Sequence, residues 1–391
     1  MLYSNFNNLK LSRLGFGVMR LPTTGDNKVI DAEKAMDMVV YAHEHGVNYF
    51  DTAYFYHSGE SERFIGKALA RFPRDSFYLA DKMPGNAMTI VDGKIKLDLF
   101  FSNNKDVLYN DPAEVFQEQL IRCGVDYFDF YLLHNLSEST YDIYTDEKLG
   151  IIDYLLSQKK AGRIRHLGLS SHGLPGTIDK FLSTYDCFEF VQIQLNYLDW
   201  SLQEAGKKYD IITKHGLPVI VMEPMRGGTL ANPGEKGTAI LKAERPDESP
   251  ASFAFRFVKA LPNVAVVLSG MSAMEQLKEN LEIFNKDEPF TETDNTSVIH
   301  VVKALADFVP CTSCRYCCEK CPQGLDIPTL LTTYNEASIA VTWYVNSILE
   351  ELADGKKPQD CTGCGTCSQV CPQNIDIPGV IKSLLEILEK K

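Results

Sequence analysis

The chain is 391 residues long, which at about 150 residues per domain suits one large domain with a small one, or two to three of medium size. With 45% hydrophobic, 10% aromatic and 23% charged residues it has the composition of a globular protein with a real core, which excludes disorder and collagen. Its 39 basic and 52 acidic residues leave a net charge of −13, which repels phosphate backbones and anionic membranes, and no basic patch along the sequence offsets it.

Met1 to Gly15 carries Asn, Ser and Lys where a signal peptide needs an unbroken apolar stretch, and no later segment reaches the ~18 apolar residues of a membrane span. A cytosolic location is expected. The first 300 or so residues alternate short apolar runs with amphipathic stretches. The runs are Leu14–Val18, Val47–Asp51, Phe77–Lys82, Phe128–His134, Ile164–Ser170, Val191–Leu195, Pro218–Met222 and Val264–Ser269. Helical spacing is read over Asp31–His45, Ser61–Arg71, Pro112–Cys123, Gly150–Ala161, Leu202–His215, Pro250–Leu261 and Met274–Ile283. Eight runs with interleaved helices predict an α/β fold, the eight-stranded (β/α) barrel, over residues 1–290. An open doubly wound sheet would show a Gly-rich turn after its first strand, and Gly15-Phe16-Gly17 is too short for one. Two connections, Gly85–Asp111 and Gly227–Ser249, are long enough to be lids on the C-terminal face of such a barrel or plain insertions.

Residues 291–391 read as a small second domain. Cys311, Cys314, Cys317 and Cys321 precede Pro322, and fifty residues later Cys361, Cys364, Cys367 and Cys371 precede Pro372. Gln323 and Asp326-Ile327-Pro328 recur as Gln373 and Asp376-Ile377-Pro378, so the block is an internal duplication. Thr329–Asp354 between the halves reads as helix. In a reducing compartment so many thiols point to metal or redox chemistry. A C-x2-C-x2-C-x3-C-P run puts three thiolates on one tight loop and sends the fourth in a direction fixed by proline, which suits a cubane. Zinc sites separate their cysteine pairs by about a dozen residues, whereas four ligands here fall within eleven positions. Both halves resemble the bacterial-type ferredoxin module, in which the fourth cysteine of each run serves the other cluster. That resemblance implies one [4Fe-4S] cluster on Cys311, Cys314, Cys317 and Cys371 and a second on Cys361, Cys364, Cys367 and Cys321. Cys318 reads as a bystander, and Cys123 and Cys187 as buried small hydrophobes.

In the barrel, Asp51, Tyr56, Lys82 and His134 fall at or just after the ends of successive runs, where a barrel delivers catalytic side chains. A lysine ammonium beside a tyrosine favours phenolate, and a shift of two to three pH units from about 10 amounts to roughly 3–4 kcal/mol. Asp51 could hold that lysine, and His134 could bond the substrate oxygen. Asp51-Thr52-Ala53-Tyr54-Phe55-Tyr56 followed by Gly59-Glu60-Ser61-Glu62, then Ala80-Asp81-Lys82-Met83-Pro84 and Tyr131-Leu132-Leu133-His134, closely resembles the aldo-keto reductase family, specifically its ferredoxin-fused branch. The resemblance covers about residues 1–285 and implies a tetrad of Asp51, Tyr56, Lys82 and His134, with Tyr56 as proton donor when hydride reaches a carbonyl.

It also implies nicotinamide contacts at Ser170, Ser171 and Gln192, with Ser171 in place of the family's Asn. Met222 stands where an aromatic residue stacks on the ring, and Glu279 and Asn280 match adenine-side positions. Gly270, Met271 and Gln276 replace cationic or hydroxyl partners of a 2′-phosphate, which weakens the case for NADPH; Arg226 is a candidate phosphate contact. Three functions are then weighed. The first is a carbonyl or alcohol oxidoreductase using NAD(P)H, wired through its clusters to a ferredoxin-like partner. The second is a cluster- or flavin-dependent reductase without nicotinamide, because a flavin bridges two-electron and one-electron carriers. The third is a regulatory or carrier protein whose barrel only binds, as in the potassium-channel-associated relatives; the intact tetrad argues against it.

Overall fold

The structure, a computed structural model, describes residues 1–25, 29–97, 108–305, 308–311 and 313–390. It divides into two compact units, one of residues 1–231 with 248–291 and the other of residues 232–247 with 292–391.

The first unit is a closed barrel of eight parallel strands: β1 (Leu14–Gly17), β2 (Tyr49–Asp51), β3 (Tyr78–Met83), β4 (Phe128–Leu136), β5 (Ile164–Ser171), β6 (Val191–Gln194), β7 (Val219–Met222) and β8 (Val264–Gly270). They pair in sequence order, and β8 closes on β1 through Val267 opposite Leu14. The helices that return the chain are α1 (Ala32–Glu44), α2 (Glu60–Leu69), α3 (Pro112–Cys123), α4 (Ile151–Lys160), α5 (Pro175–Thr184), α6 (Ala205–Lys214), α7 (Pro250–Lys259) and α8 (Met274–Asn285). Their ends follow local chemistry. Asp111 caps α3 by accepting from the amides of Ala113 and Glu114, Pro112 occupies the first turn, and Gly124 ends the helix at φ 63°.

Buried side chains fill two layers. Tyr49, Ala80, Phe130, Leu132, Phe190, Ile220 and Val266 pack the barrel interior, and an antiparallel hairpin of Tyr3–Phe6 and Leu9–Ser12 adds Phe6 and Leu11 to that cluster. Phe6 meets Phe130 edge-on at 5.2 Å. Gly168 is required there, because a Cβ would lie 2.4 Å from the Phe190 ring. The outer layer joins strands to helices through residues such as Phe16, Met38, Ile65, Phe116 and Phe181.

All eight predicted runs are barrel strands to within two residues or so at their ends, and the seven predicted helices are present. Helix α5 is not among the stretches read as helical from the sequence; Pro175 occupies its first turn. The connection Gly85–Asp111 contains a small antiparallel sheet of Met88–Val91, Lys94–Leu97 and Leu108–Tyr109, and its residues 98–107 lie outside the described residues. The connection Gly227–Ser249 contains helix Gly234–Glu244, which groups with the second unit.

In the second unit, helix Gly234–Glu244 lies on helix Glu292–Leu305, and Arg245 clasps the buried Asp294 with two bonds of 2.7 and 2.9 Å. Helices Ile327–Ile339 and Ile377–Glu389, each opened by the repeated Asp-Ile-Pro, pack together over Leu330, Leu331, Ile377 and Ile381. The helix expected over Thr329–Asp354 is two, Ile327–Ile339 and Trp343–Glu351. The β-branched Ile339, Val341 and Thr342 lower helix propensity there, and Thr342 is extended at φ −100°, ψ 175°. Cys123 is buried as expected, whereas Cys187 is only half-buried. Among the described residues no helix is long and apolar enough to cross a membrane.

Candidate active site and cysteine centres

Asp51 is the last residue of β2, Lys82 lies one residue before the end of β3 and His134 lies near the end of β4, so three neighbouring strands bring them to one rim. The Lys82 ammonium is fully buried and donates to Asp51 Oδ1 at 2.6 Å and to the Thr52 carbonyl at 2.7 Å. It stands 5.2 Å from the centre of the Tyr56 ring. Tyr56 opens a tight turn in which His57, Ser58 and Gly59 all take left-handed φ of 50°, 58° and 89°. Two non-glycine residues in that region mark stored backbone strain, which clusters at functional sites. The His57 ring accepts from the Leu21 amide at 3.2 Å and pins the turn. His134 meets Tyr56 edge-on at 6.0 Å and stacks on Phe55 at 4.8 Å, and its Nδ1 has no partner among the described residues.

The electrostatics correct one expectation. Burial lifts the Tyr56 phenol above its ordinary 10 and outweighs the nearby ammonium, which pulls the other way. The resting hydroxyl is therefore protonated. Burial opposes the charge on Lys82, but Asp51 and Tyr56 more than compensate and hold its pKa above 10.5. Burial, with the like charge of Lys82, drives His134 well below 6.5, so its ring is neutral at pH 7.

Supports that sequence reasoning did not single out hold this rim. Tyr144, fully buried, donates to the His134 carbonyl at 2.6 Å, lies 3.0 Å from that of Met83, and accepts from the Gly85 amide at 3.1 Å. It comes from a short helix after β4, and no motif marks it. The Gly59-Glu60-Ser61-Glu62 segment acts behind the site. The Ser61 hydroxyl bonds that of Thr52 at 2.8 Å, and Glu62, fully buried, accepts from Gln119 at 3.0 Å and Arg122 at 2.9 Å. Gln119 also donates to the Lys82 carbonyl at 3.0 Å.

The cofactor candidates divide. Gln192 is buried, its amide donates to the Met222 sulfur at 3.5 Å, and its Oε1 has no partner among the described residues. Ser170 and Ser171 are engaged with the backbone: Ser170 Oγ accepts from the Asn135 amide at 2.9 Å, and Ser171 Oγ donates to the Leu136 carbonyl at 2.6 Å. Arg226 pairs with the buried Asp199 at 3.0 Å. Asn280 donates to Ser269 at 3.0 Å from α8, whose half-buried Glu279 precedes it.

In the second unit the cysteines gather into two cavities. Cys311, Cys314 and Cys317 line one together with Cys371; Cys361, Cys364 and Cys367 line the other together with Cys321. Each half thus lends its fourth cysteine to the other's loop. The backbone already points at sulfur: the Ser313 amide donates to Cys311 at 3.4 Å and the Leu325 amide to Cys321 at 3.5 Å. Cys318 is not among the residues lining either cavity.

Comparison with known proteins agrees with both units. Residues 13–302 match the model of the aldo/keto reductase family, and residues 310–376 match a 4Fe-4S dicluster domain. An uncharacterized oxidoreductase of Bacillus subtilis is 26% identical over 305 residues, 71% of this chain and 89% of its own length. An NADH-specific methylglyoxal reductase of Escherichia coli is 24% identical over 332 residues, 76% of this chain and 96% of its own. The solved holo form of an aldo-keto reductase from Bacillus halodurans superposes with a TM-score of 0.59 at 27% identity, covering 78% of this chain and 98% of that one. The chain belongs to the aldo/keto reductase family, as an oxidoreductase barrel extended by a 4Fe-4S dicluster domain.

Proposed function

We propose that the barrel reduces the carbonyl of a small molecule, with Tyr56 as proton donor and hydride from NAD(P)H, and that the cysteine unit carries two [4Fe-4S] clusters that exchange electrons with a ferredoxin-like partner. The observation that carries the reading is the Asp51–Lys82 pair, at 2.6 Å, set beneath the Tyr56 ring with a neutral His134 beside it. Lys82 stabilises the negative charge that grows on the phenol oxygen as it gives up its proton. Asp51 and the Thr52 carbonyl hold the ammonium in place. His134 orients the substrate oxygen toward Tyr56, and being neutral it can donate a hydrogen bond without competing as the acid.

The residues present fit both groups. Gln192 offers a buried acceptor without a partner, suited to an amide donor, and would hold a nicotinamide, which supplies hydride when bound. Arg226 and the adenine-side Glu279 and Asn280 would serve the rest of that cofactor. Cys311, Cys314, Cys317 and Cys371 would hold one cluster and Cys321, Cys361, Cys364 and Cys367 the other; each supplies one-electron transfer when bound.

The test follows methylglyoxal and glyceraldehyde reduction with NADH and NADPH in turn by anaerobic protein. Tyr56→Phe is expected to lower kcat by at least ~100-fold while leaving the brown cluster absorbance unchanged. Unaltered turnover would remove Tyr56 from the reaction. Turnover that needs reduced ferredoxin and ignores both nicotinamides would favour the cluster- or flavin-fed reading.

A further inference from the structure

The duplication is not symmetric in charge. At the middle of the two cysteine loops, Cys311–Cys317 carries Ser313 and Arg315 where Cys361–Cys367 carries Gly363 and Gly365. All four residues hold left-handed φ: 53° and 65° in the first loop, 69° and 75° in the second. Glycine is the unstrained choice at such positions, so Arg315 keeps a cationic side chain at a backbone cost that the second loop avoids.

Its placement gives that cost a use. Arg315 lines the cavity of Cys311, Cys314, Cys317 and Cys371 and is the charged residue of that lining; the lining of the other cavity has none among the described residues. The neighbouring acids respond. Asp376 caps its own helix by accepting from the Gly379 amide at 3.3 Å. Asp326, its counterpart, makes no such cap and instead pairs with Arg315 at 3.2 Å. Asp326 does not line the cavity, whereas Arg315 does and is close enough to Cys317 to feel its charge. Glu319 and Lys320, which stand opposite Gln369 and Val370, are exposed and cancel in sign.

Backbone amides reach the sulfurs of both sites: that of Ser313 donates to Cys311, that of Leu325 to Cys321, and those of Thr366 and Ser368 to Cys364 and Cys367. The Thr366 hydroxyl near Cys364 gives its proton to the Lys320 carbonyl at 3.1 Å.

We infer that Arg315 sets the order of electron flow through the second unit, making the cluster held by Cys311, Cys314, Cys317 and Cys371 the one of higher reduction potential. Adding one electron makes a cluster more negative by one charge, and a cation at the cavity wall stabilises that state. An electron arriving at the Cys321, Cys361, Cys364 and Cys367 site therefore passes on to the Arg315 site. The inference rests on the two-cluster part of the proposed function and not on the barrel chemistry.

The test is an anaerobic redox titration of the full chain, with the reduced clusters counted by electron paramagnetic resonance. Two resolved potentials are expected. Arg315→Gly, which places the second loop's own residue at a position that suits glycine, should lower the upper potential toward the other and leave iron content unchanged. Gly365→Arg should raise the lower one. Iron-free protein would overturn both this inference and the cluster assignment. Full iron content with potentials that Arg315→Gly does not move would overturn this inference alone.

Discussion

Lys82→Met removes the cation from a buried pair and leaves Asp51, 3% exposed, without its ammonium and with no partner for Oδ2 among the described residues. At 2.6 Å and an effective dielectric of about 20 the attraction lost is on the order of 6 kcal/mol. Part of that is returned because the lysine no longer has to be desolvated, so the expected net loss is about 3–5 kcal/mol, a large share of a typical stability of about 5–15. The loss should depend on pH. Burial already raises the Asp51 carboxyl and Lys82 opposes that rise, so without Lys82 its folded pKa moves further above the ordinary value. A carboxyl that binds its proton more tightly folded than unfolded makes stability fall as pH rises between the two values. The deficit against the parent is thus smaller at pH 5 than at pH 8.

Urea denaturation measures it. The chain has two tryptophans, and in a Trp343→Phe background Trp200 reports on the barrel unit. The double variant with Asp51→Asn, which removes the stranded charge, should recover about 2 kcal/mol or more of the loss. A deficit equal at both pH values, or a double variant no more stable than the single, would refute the ion-pair account.

Tyr144→Phe takes away the donor to the His134 carbonyl and the acceptor for the Gly85 amide, both buried, and should cost about 2–4 kcal/mol with a lower kcat, read from a shifted urea midpoint at constant slope. Gly66→Ala places a Cβ 2.1 Å from the Cys123 carbonyl; overpacking of about 1–3 kcal/mol should outweigh the ~1 kcal/mol gained in helix propensity, and melting should show a lower Tm. Cys371→Ala should strip the same half of the iron as Cys311→Ala, so that pair combined keeps half while Cys371→Ala with Cys361→Ala loses all; iron analysis that reverses this pattern would break the crossed pairing.

The barrel was legible because each strand is a short apolar run buried on both faces and helices such as α1 and α3 begin at an Asp and are followed by a Gly. Asp51, Lys82 and His134 were legible for the same reason: they sit at the polar ends of such runs. The crossed cysteine sets were legible through the resemblance of both halves of the repeat to the ferredoxin module. What escaped lies where tertiary contact overrides local pattern. Tyr144 works through three main-chain groups of other elements, helix α5 hides behind Gly-Leu-Pro-Gly, and helix Gly234–Glu244 groups with Glu292–Leu305. The cofactor positions were only partly legible, since a matched residue type does not reveal that Ser170, Ser171 and Arg226 already have partners.

The reversal at Tyr56 bears on the direction of the proposed reaction. A phenol raised above 10 by burial holds its proton throughout the neutral range, so the resting site is an acid ready to donate and not a base ready to accept. Lys82 is too weak against burial to ionise that hydroxyl at rest, yet its ammonium, 5.2 Å from the ring, acts on the charge that appears only as the proton leaves. The two effects together favour carbonyl reduction near pH 7 and hold its rate level with rising pH until the phenol itself titrates. Alcohol oxidation needs phenolate, so its rate should climb toward alkaline pH over the same interval. A reduction rate that falls between pH 7 and 9, with the clusters intact, would mean that a group other than Tyr56 supplies the proton.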